Sequence, residues 1–303
     1  MDPVLKAVLF SWEWRIEIVL VLVTAGTLYS IGWWRLRRLR RGRSRDRGRL
    51  ATGGRLAAYL TALLVLGVAL MSPIDVLASQ FFFLHMVQHL LLVMVVPPLL
   101  WLSSPFPFVM WGLPSQARSR VGSLFSGKSS FRRRLRTFTA PGIAWMLYVA
   151  VLLGWHDPNA YQAALQDELI HDLEHLTFFV TAVLFWWHVI YAPPQIHKRL
   201  PRGARIAYVL AAIPPTMAAG AAIAFSGQPV YAYYAGVPRL WGISVMQDQM
   251  LGGVIMWVPG SMMYIIAALI LISRWVQDED AKPVLPDTVW AAEQNTVVPG
   301  LER

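Results

Sequence analysis

The sequence predicts an all-α membrane bundle of seven transmembrane helices, with the N-terminus outside and the C-terminus cytoplasmic. Three observations carry that expectation. The 303-residue chain is 56% hydrophobic and only 15% charged, a composition of polytopic membrane proteins rather than soluble domains. It holds seven apolar segments, most of them near the ~20 residues a spanning helix needs. Finally, 24 of its 27 Lys and Arg residues fall in segments that seven crossings put on one side, which the positive-inside rule assigns to the cytoplasm. An even number of crossings would place basic segments on both sides.

The first segment, roughly 14–34, reads as a span rather than a cleaved signal peptide. Its apolar run continues to Trp34, no A-x-A site follows, and its charges come after it. Arg35 to Arg55 carries ten basic residues. The run Arg35-Leu36-Arg37-Arg38-Leu39-Arg40-Arg41 is explained as a topology determinant, so no nucleic-acid partner is expected. The second span is 56–71 and the third 80–102, the latter kinked by Pro97-Pro98, which remove backbone hydrogen bonds. Pro105, Pro107 and Pro114 break up the stretch 103–114, which reads as re-entrant or interfacial. A loop over 112–140 carries seven basic residues. The fourth span, 141–154, is interrupted upstream by Pro141-Gly142 and extends to Trp155. The fifth is 168–192, and a 193–205 loop with four basic residues follows it. The sixth, 206–225, contains Pro214-Pro215 and the small-residue run Ala218 to Ala222; the seventh, 246–273, contains Gly252-Gly253. Small residues of this kind let helices approach closely in lipid. Residues 1–275 are therefore expected to form one transmembrane domain, and the polar, proline-punctuated stretch 276–303 a disordered cytoplasmic tail.

The chemistry is concentrated in histidine. Four of the seven histidines form two i,i+4 pairs, His85 with His89 and His171 with His175, each inside an apolar span. On a helix each pair points its imidazoles the same way, about 6 Å apart along the axis. The third, fifth and seventh spans all run from outside to inside, so their first turns share the outer leaflet. His85, His89, His171 and His175 fall in that layer, and Asp248 near the start of the seventh span joins them. Single membrane histidines act as hydrogen-bonding glue between helices. Four of them with a carboxylate predict a metal site, because an isolated intramembrane aspartate costs a few kcal/mol that a cation removes. The chain has no cysteine, which excludes disulfides, thiolate sites and iron–sulfur clusters. Met86, Met246 and Met250 flank the same layer, so the donor set leans towards copper and leaves zinc open. Met94, Met256 and Met262 read as core filler. Glu174 and Asp172 are expected to orient the ring N–H groups. His156 and Asp157, with Asp75, are candidates for an access site, whereas His188 and His197 lie at the inner side and outside the cluster.

His85-Met86-Val87-Gln88-His89 running into Pro97-Pro98, then His171-Asp172-Leu173-Glu174-His175, then Asp248-Gln249-Met250-Leu251-Gly252-Gly253 with Trp257, resembles the polytopic CtaG family of cytochrome c oxidase assembly factors over roughly residues 10–275. The resemblance implies a multi-pass protein of the prokaryotic plasma (inner) membrane, needed to make active haem–copper oxidase and suspected of handling copper. It implies partnership with haem–copper oxidase subunits, with a periplasmic copper donor as a further candidate partner. Carried over by position, the family's motif residues are His85, His89, His171, His175 and Asp248.

The expected function is thus a non-enzymatic, metallochaperone-like assembly factor that binds copper and hands it on. The alternative is a zinc-dependent intramembrane hydrolase of the seven-span ceramidase-like kind, with Ser244 one turn before Asp248. A fourth site histidine would then be spare, and the motif order differs. Bis-histidine haem is disfavoured because both pairs share one leaflet, and two irons would lie about 6 Å apart. Membrane desaturases keep their histidine boxes on the cytoplasmic side.

Overall fold

The computed structural model describes residues 10–39 and 50–281, and every regular element among them is helical. Six helices are long and apolar enough to cross a membrane. These are α1 (Ile16–Leu39), α2 (Gly53–Met71), the broken helix Phe82–Leu102, α11 (Glu168–Ile190), the pair α12 (Arg202–Leu210) and α13 (Ile213–Ala224), and α15 (Val245–Asp280). Among the described residues a seventh candidate is the pair α8 (Ser130–Phe138) and α9 (Pro141–Trp155), bent by 53° and counted as a span if the two are taken as one. Between them lie α3 (Pro73–Ala78), α6 (Pro105–Gly112), α7 (Ser115–Leu124), α10 (Pro158–Gln166) and the short α14 (Tyr233–Gly236). The segment 112–140, expected as a loop, therefore contains two helices. Residues 276–280, expected to belong to the tail, instead continue α15 to Asp280. The rest of that tail lies outside the described residues, as do Arg40 and Arg41.

The spans are sorted by which face each helix can afford to turn towards hydrocarbon. On α11, Leu169, Leu173, Leu176 and Val180 are exposed, while Glu174, His175, Phe178, Ala182 and Phe185 are buried. Both sets follow helical spacing, so this span presents leucine outward and its polar groups inward. Glycine sets the closest crossings. A Cβ on Gly253 would lie 2.6 Å from the Ala224 nitrogen, and one on Gly220 would lie 2.8 Å from the Gly253 carbonyl, so α13 and α15 touch backbone to backbone. Gly32 and Gly112 do the same for α1 and α6, where a Cβ would lie 1.7 Å and 2.0 Å from the Phe108 and Leu28 carbonyl oxygens. The stretch read as re-entrant or interfacial is thus a short helix clasped against the first span.

The third span is broken where its prolines fall. It runs as α4 (Phe82–Leu90), one π-helical turn over Leu91–Val95, and α5 (Val96–Leu102). Pro97 has no N–H to give the Val93 carbonyl four residues earlier, and the indole of Trp186 on α11 donates to that carbonyl instead, at 2.9 Å. The widened turn follows directly on His89, and π turns of this kind recur at functional sites.

Chain reversal brings the start of α1, the end of α2, α3, the starts of α4, α11 and α15, and α10 and α14 to one end of the bundle. Arg15 confirms the arrangement by forking onto Asp172 of α11, at 2.6 and 2.5 Å. Tyr234 of α14 does the same by donating to the Ala78 carbonyl at 3.0 Å.

Candidate metal centre

His85 and His89 on α4 face His171 and His175 on α11. Within each helix the two rings lie 4.3 and 4.2 Å apart between centroids, as one helical turn dictates. Across the helices His85 to His171 is 5.2 Å, His89 to His175 is 5.3 Å and His85 to His175 is 5.7 Å. Two imidazoles on one tetrahedral ion, with metal–nitrogen bonds of about 2.0–2.1 Å, place their centroids about 5 Å apart. The cross-helix spacing fits one ion shared between the two helices.

The carboxylate in the cluster is Glu174. It is fully buried, and its two oxygens lie 3.8 Å from His85 Nε2 and 3.6 Å from His89 Nε2. Those separations are too long for hydrogen bonds but close to the roughly 3.4 Å between two donors on a tetrahedral ion. Both Glu174 oxygens, His85 Nε2, both nitrogens of His89 and His175 Nε2 are buried with no hydrogen-bond partner among the described residues. Unmatched polar atoms in such number are rare in a folded interior. Each neutral imidazole keeps one N–H and offers one lone pair, and with the Glu174 oxygens these lone pairs are what a cation would satisfy. Two overlapping sets have donor atoms within 4.8 Å of one another: His85 with His171 and His175, and His85 with His89 and Glu174.

A hydrogen-bond chain ends on His85 Nδ1. The Ala78 carbonyl can only accept, so the Tyr234 hydroxyl hydrogen goes to it. The Tyr161 hydroxyl lies 3.2 Å from the Tyr234 oxygen and 2.6 Å from His85 Nδ1; when it donates to Tyr234, its own oxygen accepts from His85 Nδ1–H. Nε2 is then left as the bare, basic nitrogen aimed at Glu174. His156, in the turn after α9, is set the same way: its Nδ1–H donates to the Leu152 carbonyl at 2.6 Å, leaving Nε2 unpartnered and buried. Tyr161, Tyr234 and His156 come from connecting segments, where no periodicity marks a residue as inward-facing.

Asp248 stands apart from these donors. Its two oxygens accept the backbone N–H groups of Phe82 and Phe83, at 3.1 and 2.9 Å, and it pairs with Arg239 at 2.9 Å. It caps the start of α4 and belongs to neither of the two donor sets. The carboxylate among them is Glu174, which had been read as a ring-orienting partner, while Asp172 is held by Arg15. Met86 is buried beside the cluster, whereas Met246 and Met250 are exposed on α15. Ser244 caps α15, accepting from the Gln247 N–H at 3.2 Å in a capping box, so this hydroxyl is committed to the helix end. His188 and His197 sit near Thr139, with His188 Nε2 donating to its carbonyl at 2.8 Å and His197 Nε2 2.9 Å from its hydroxyl.

A cavity of ≈ 380 Å³ opens onto the cluster, lined by Glu13, Arg15, Asp75, Glu168 and His171 among others. Burial pushes the Asp75 carboxyl up to about 6, against the weaker opposing pull of its hydrogen bond from Gln88. A raised folded-state value means the native chain holds a proton that the unfolded chain releases near its ordinary 3.8. Stability from this group is present below about pH 4 and lost as pH rises through about 6, a difference of about 3 kcal/mol at most. Asp75→Asn keeps an oxygen for Gln88. It is expected to raise the melting temperature in detergent near pH 7 and to flatten the fall between pH 4 and 6. An unchanged pH profile would remove Asp75 as its source.

A family model described as cytochrome c oxidase caa3 assembly factor (Caa3_CtaG) matches residues 27–278. Uncharacterized proteins of Mycobacterium bovis and Mycobacterium tuberculosis are each 28% identical over 280 residues, covering 91% of this chain and 41% of their own length. One of Mycobacterium leprae is 26% identical over 298 residues, covering 92% and 42%. The chain therefore spans about two fifths of the length of the curated relatives it matches. No solved structure matches it significantly.

Proposed function

The chain belongs to the cytochrome c oxidase caa3 assembly factor family, and on that premise we propose that it accepts copper at the α4–α11 cluster and hands it to a haem–copper oxidase subunit. The single observation that carries this reading is the pair of donor sets, sharing His85, that four imidazoles and the buried Glu174 carboxylate form, with atoms of His85, His89, His175 and Glu174 left unpartnered. Imidazole with carboxylate suits Cu(II) or Zn(II), and copper is the metal that such an oxidase needs. The side of the membrane follows from charge. Basic residues crowd the end opposite the cluster, around Arg35, α7, α8 and Arg202, so that end is cytoplasmic and the cluster opens outward in a prokaryotic plasma membrane.

The acidic cavity beside His171 attracts a hydrated cation, and the bare nitrogens replace its waters as it moves inward. A periplasmic donor on one side and an oxidase subunit on the other are the partners this geometry calls for. Ser244, the hydroxyl that the hydrolase alternative would use, caps α15 and Asp248 pairs with Arg239, which favours the carrier reading.

The test is metal loading of the purified protein. Chelator-stripped protein is expected to take up roughly one copper or zinc at the cluster. Glu174→Gln, which keeps the shape and removes the charge, is expected to weaken binding of the divalent ion at least tenfold. Protein that binds neither ion under oxidising or reducing conditions would defeat the proposal.

A further inference from the structure

Beside the cluster lies a cavity of ≈ 40 Å³ between α4, α9, α11 and α15, lined by Met86, Met94 and Met256 together with His89 and His156. The remaining lining is apolar apart from Thr216, whose hydroxyl donates to the Ala212 carbonyl. All three methionines are buried. Methionine ordinarily fills irregular gaps, yet here three thioethers surround a gap that persists. That space exceeds the roughly 10–15 Å³ that one water-sized particle needs. His156 Nε2 and both nitrogens of the buried His89 have no partner among the described residues. The two rings are 6.3 Å apart between centroids, about the separation of two imidazoles facing each other across one ion.

We propose that this cavity is a second metal position, a soft-donor pocket for monovalent copper held by His156 and the thioethers of Met86, Met94 and Met256, with neutral His89, whose one lone pair serves one position at a time, lying between it and the histidine cluster. The charge of the ion follows from the lining. No carboxylate borders the cavity, and the cost of transferring an ion into a low-dielectric interior rises with the square of its charge. A divalent ion belongs beside Glu174, whereas a monovalent one is tolerated among thioethers and neutral imidazoles, the donors that favour Cu(I). The bare nitrogen of His156 is preset by its Leu152 hydrogen bond, so no proton need leave when an ion arrives. The π turn over Leu91–Val95 carries Met94, and α4 carries Met86 and His89 one turn apart. The third span thus contributes to both positions. This inference rests on the copper-carrier reading and deepens it by adding a position for copper that arrives already reduced, with no electron passing between the two positions.

The full chain in detergent, loaded anaerobically with Cu(I) under a reductant and assayed against a chromophoric Cu(I) chelator, is expected to hold one ion more than the cluster alone. X-ray absorption of the loaded wild type is expected to show sulfur neighbours at about 2.3 Å. His171→Ala with His175→Ala keeps the sulfur signal. The triple change Met86→Leu, Met94→Leu and Met256→Leu conserves volume, and it removes that signal and one ion while leaving the cluster's ion. Wild-type copper with only nitrogen and oxygen neighbours overturns the second position and leaves the cluster standing. Sulfur-bound copper that survives loss of the cluster histidines, with no other ion in the wild type, supports the second position and overturns the cluster. Failure to bind any copper overturns both.

Discussion

Replacing His85 and His171 together by alanine is expected to leave the protein inserted in the membrane while haem–copper oxidase activity in the host falls severalfold. His85 is the residue shared by both sets of converging donors, and its Nε2 is the atom that the Tyr161–Tyr234–Ala78 chain prepares. Removing it dismantles both sets at once. Removing His171 takes away the imidazole that lines the open cavity, and with it the step from solvent to the interior. Insertion is spared because alanine is cheaper in hydrocarbon than histidine. The phenotype is expected as an oxidase that is synthesised but short of copper, partly restored by copper added to the medium. The measurements are membrane content of the variant, oxidase activity, and metal content of the purified oxidase. Unchanged activity and copper content at normal expression would overturn copper delivery by this cluster.

The spans and the four histidines were legible because both rest on chain-local rules. Hydrocarbon thickness fixes how many apolar residues a crossing needs, and 3.6-residue periodicity puts His85 with His89, and His171 with His175, on one face. The helices Ser115–Leu124 and Ser130–Phe138 were not legible. Their basic residues read as a topology signal, and that reading carries no conformational information. Asp248 stands apart from the histidines for a different reason. Depth counted along a helix places Asp248 in the right layer, but its fate is decided by Arg239, which comes from the irregular stretch after α14, and by the amide groups at the start of α4. Glu174 lies one turn after His171 and one residue before His175, on the same face as both. That spacing could have identified it. The repair of the Val93 carbonyl by Trp186 and the approach of Tyr161 and His156 depend on tertiary contacts that no local pattern encodes. The sixth span shows the same division: its prolines announce a break, yet where α13 presses on α15 is set by Gly220 meeting Gly253.

Asp248→Ala is expected to reduce the yield of folded protein sharply while leaving copper bound per folded chain unchanged. The carboxylate is fully buried, whereas Arg239 is 20% exposed. Its loss leaves the Arg239 guanidinium with backbone carbonyls as partners but no counter-charge, and leaves the Phe82 and Phe83 N–H groups at the start of α4 without their acceptor. Breaking a buried pair by removing one partner costs about 3–5 kcal/mol, a large share of the 5–15 kcal/mol that usually holds a domain together. The loss is mainly electrostatic, so Asp248→Asn combined with Arg239→Gln should recover part of it, as coupled partners do in a double-mutant cycle. A metal ligand would behave in the opposite way, with normal folding, reduced copper, and no rescue by a change at Arg239. Thermal unfolding in detergent and metal content of the monodisperse fraction, measured on the single and double variants, separate the two roles. Full stability with copper lost would return Asp248 to the metal site and remove the capping role assigned to it.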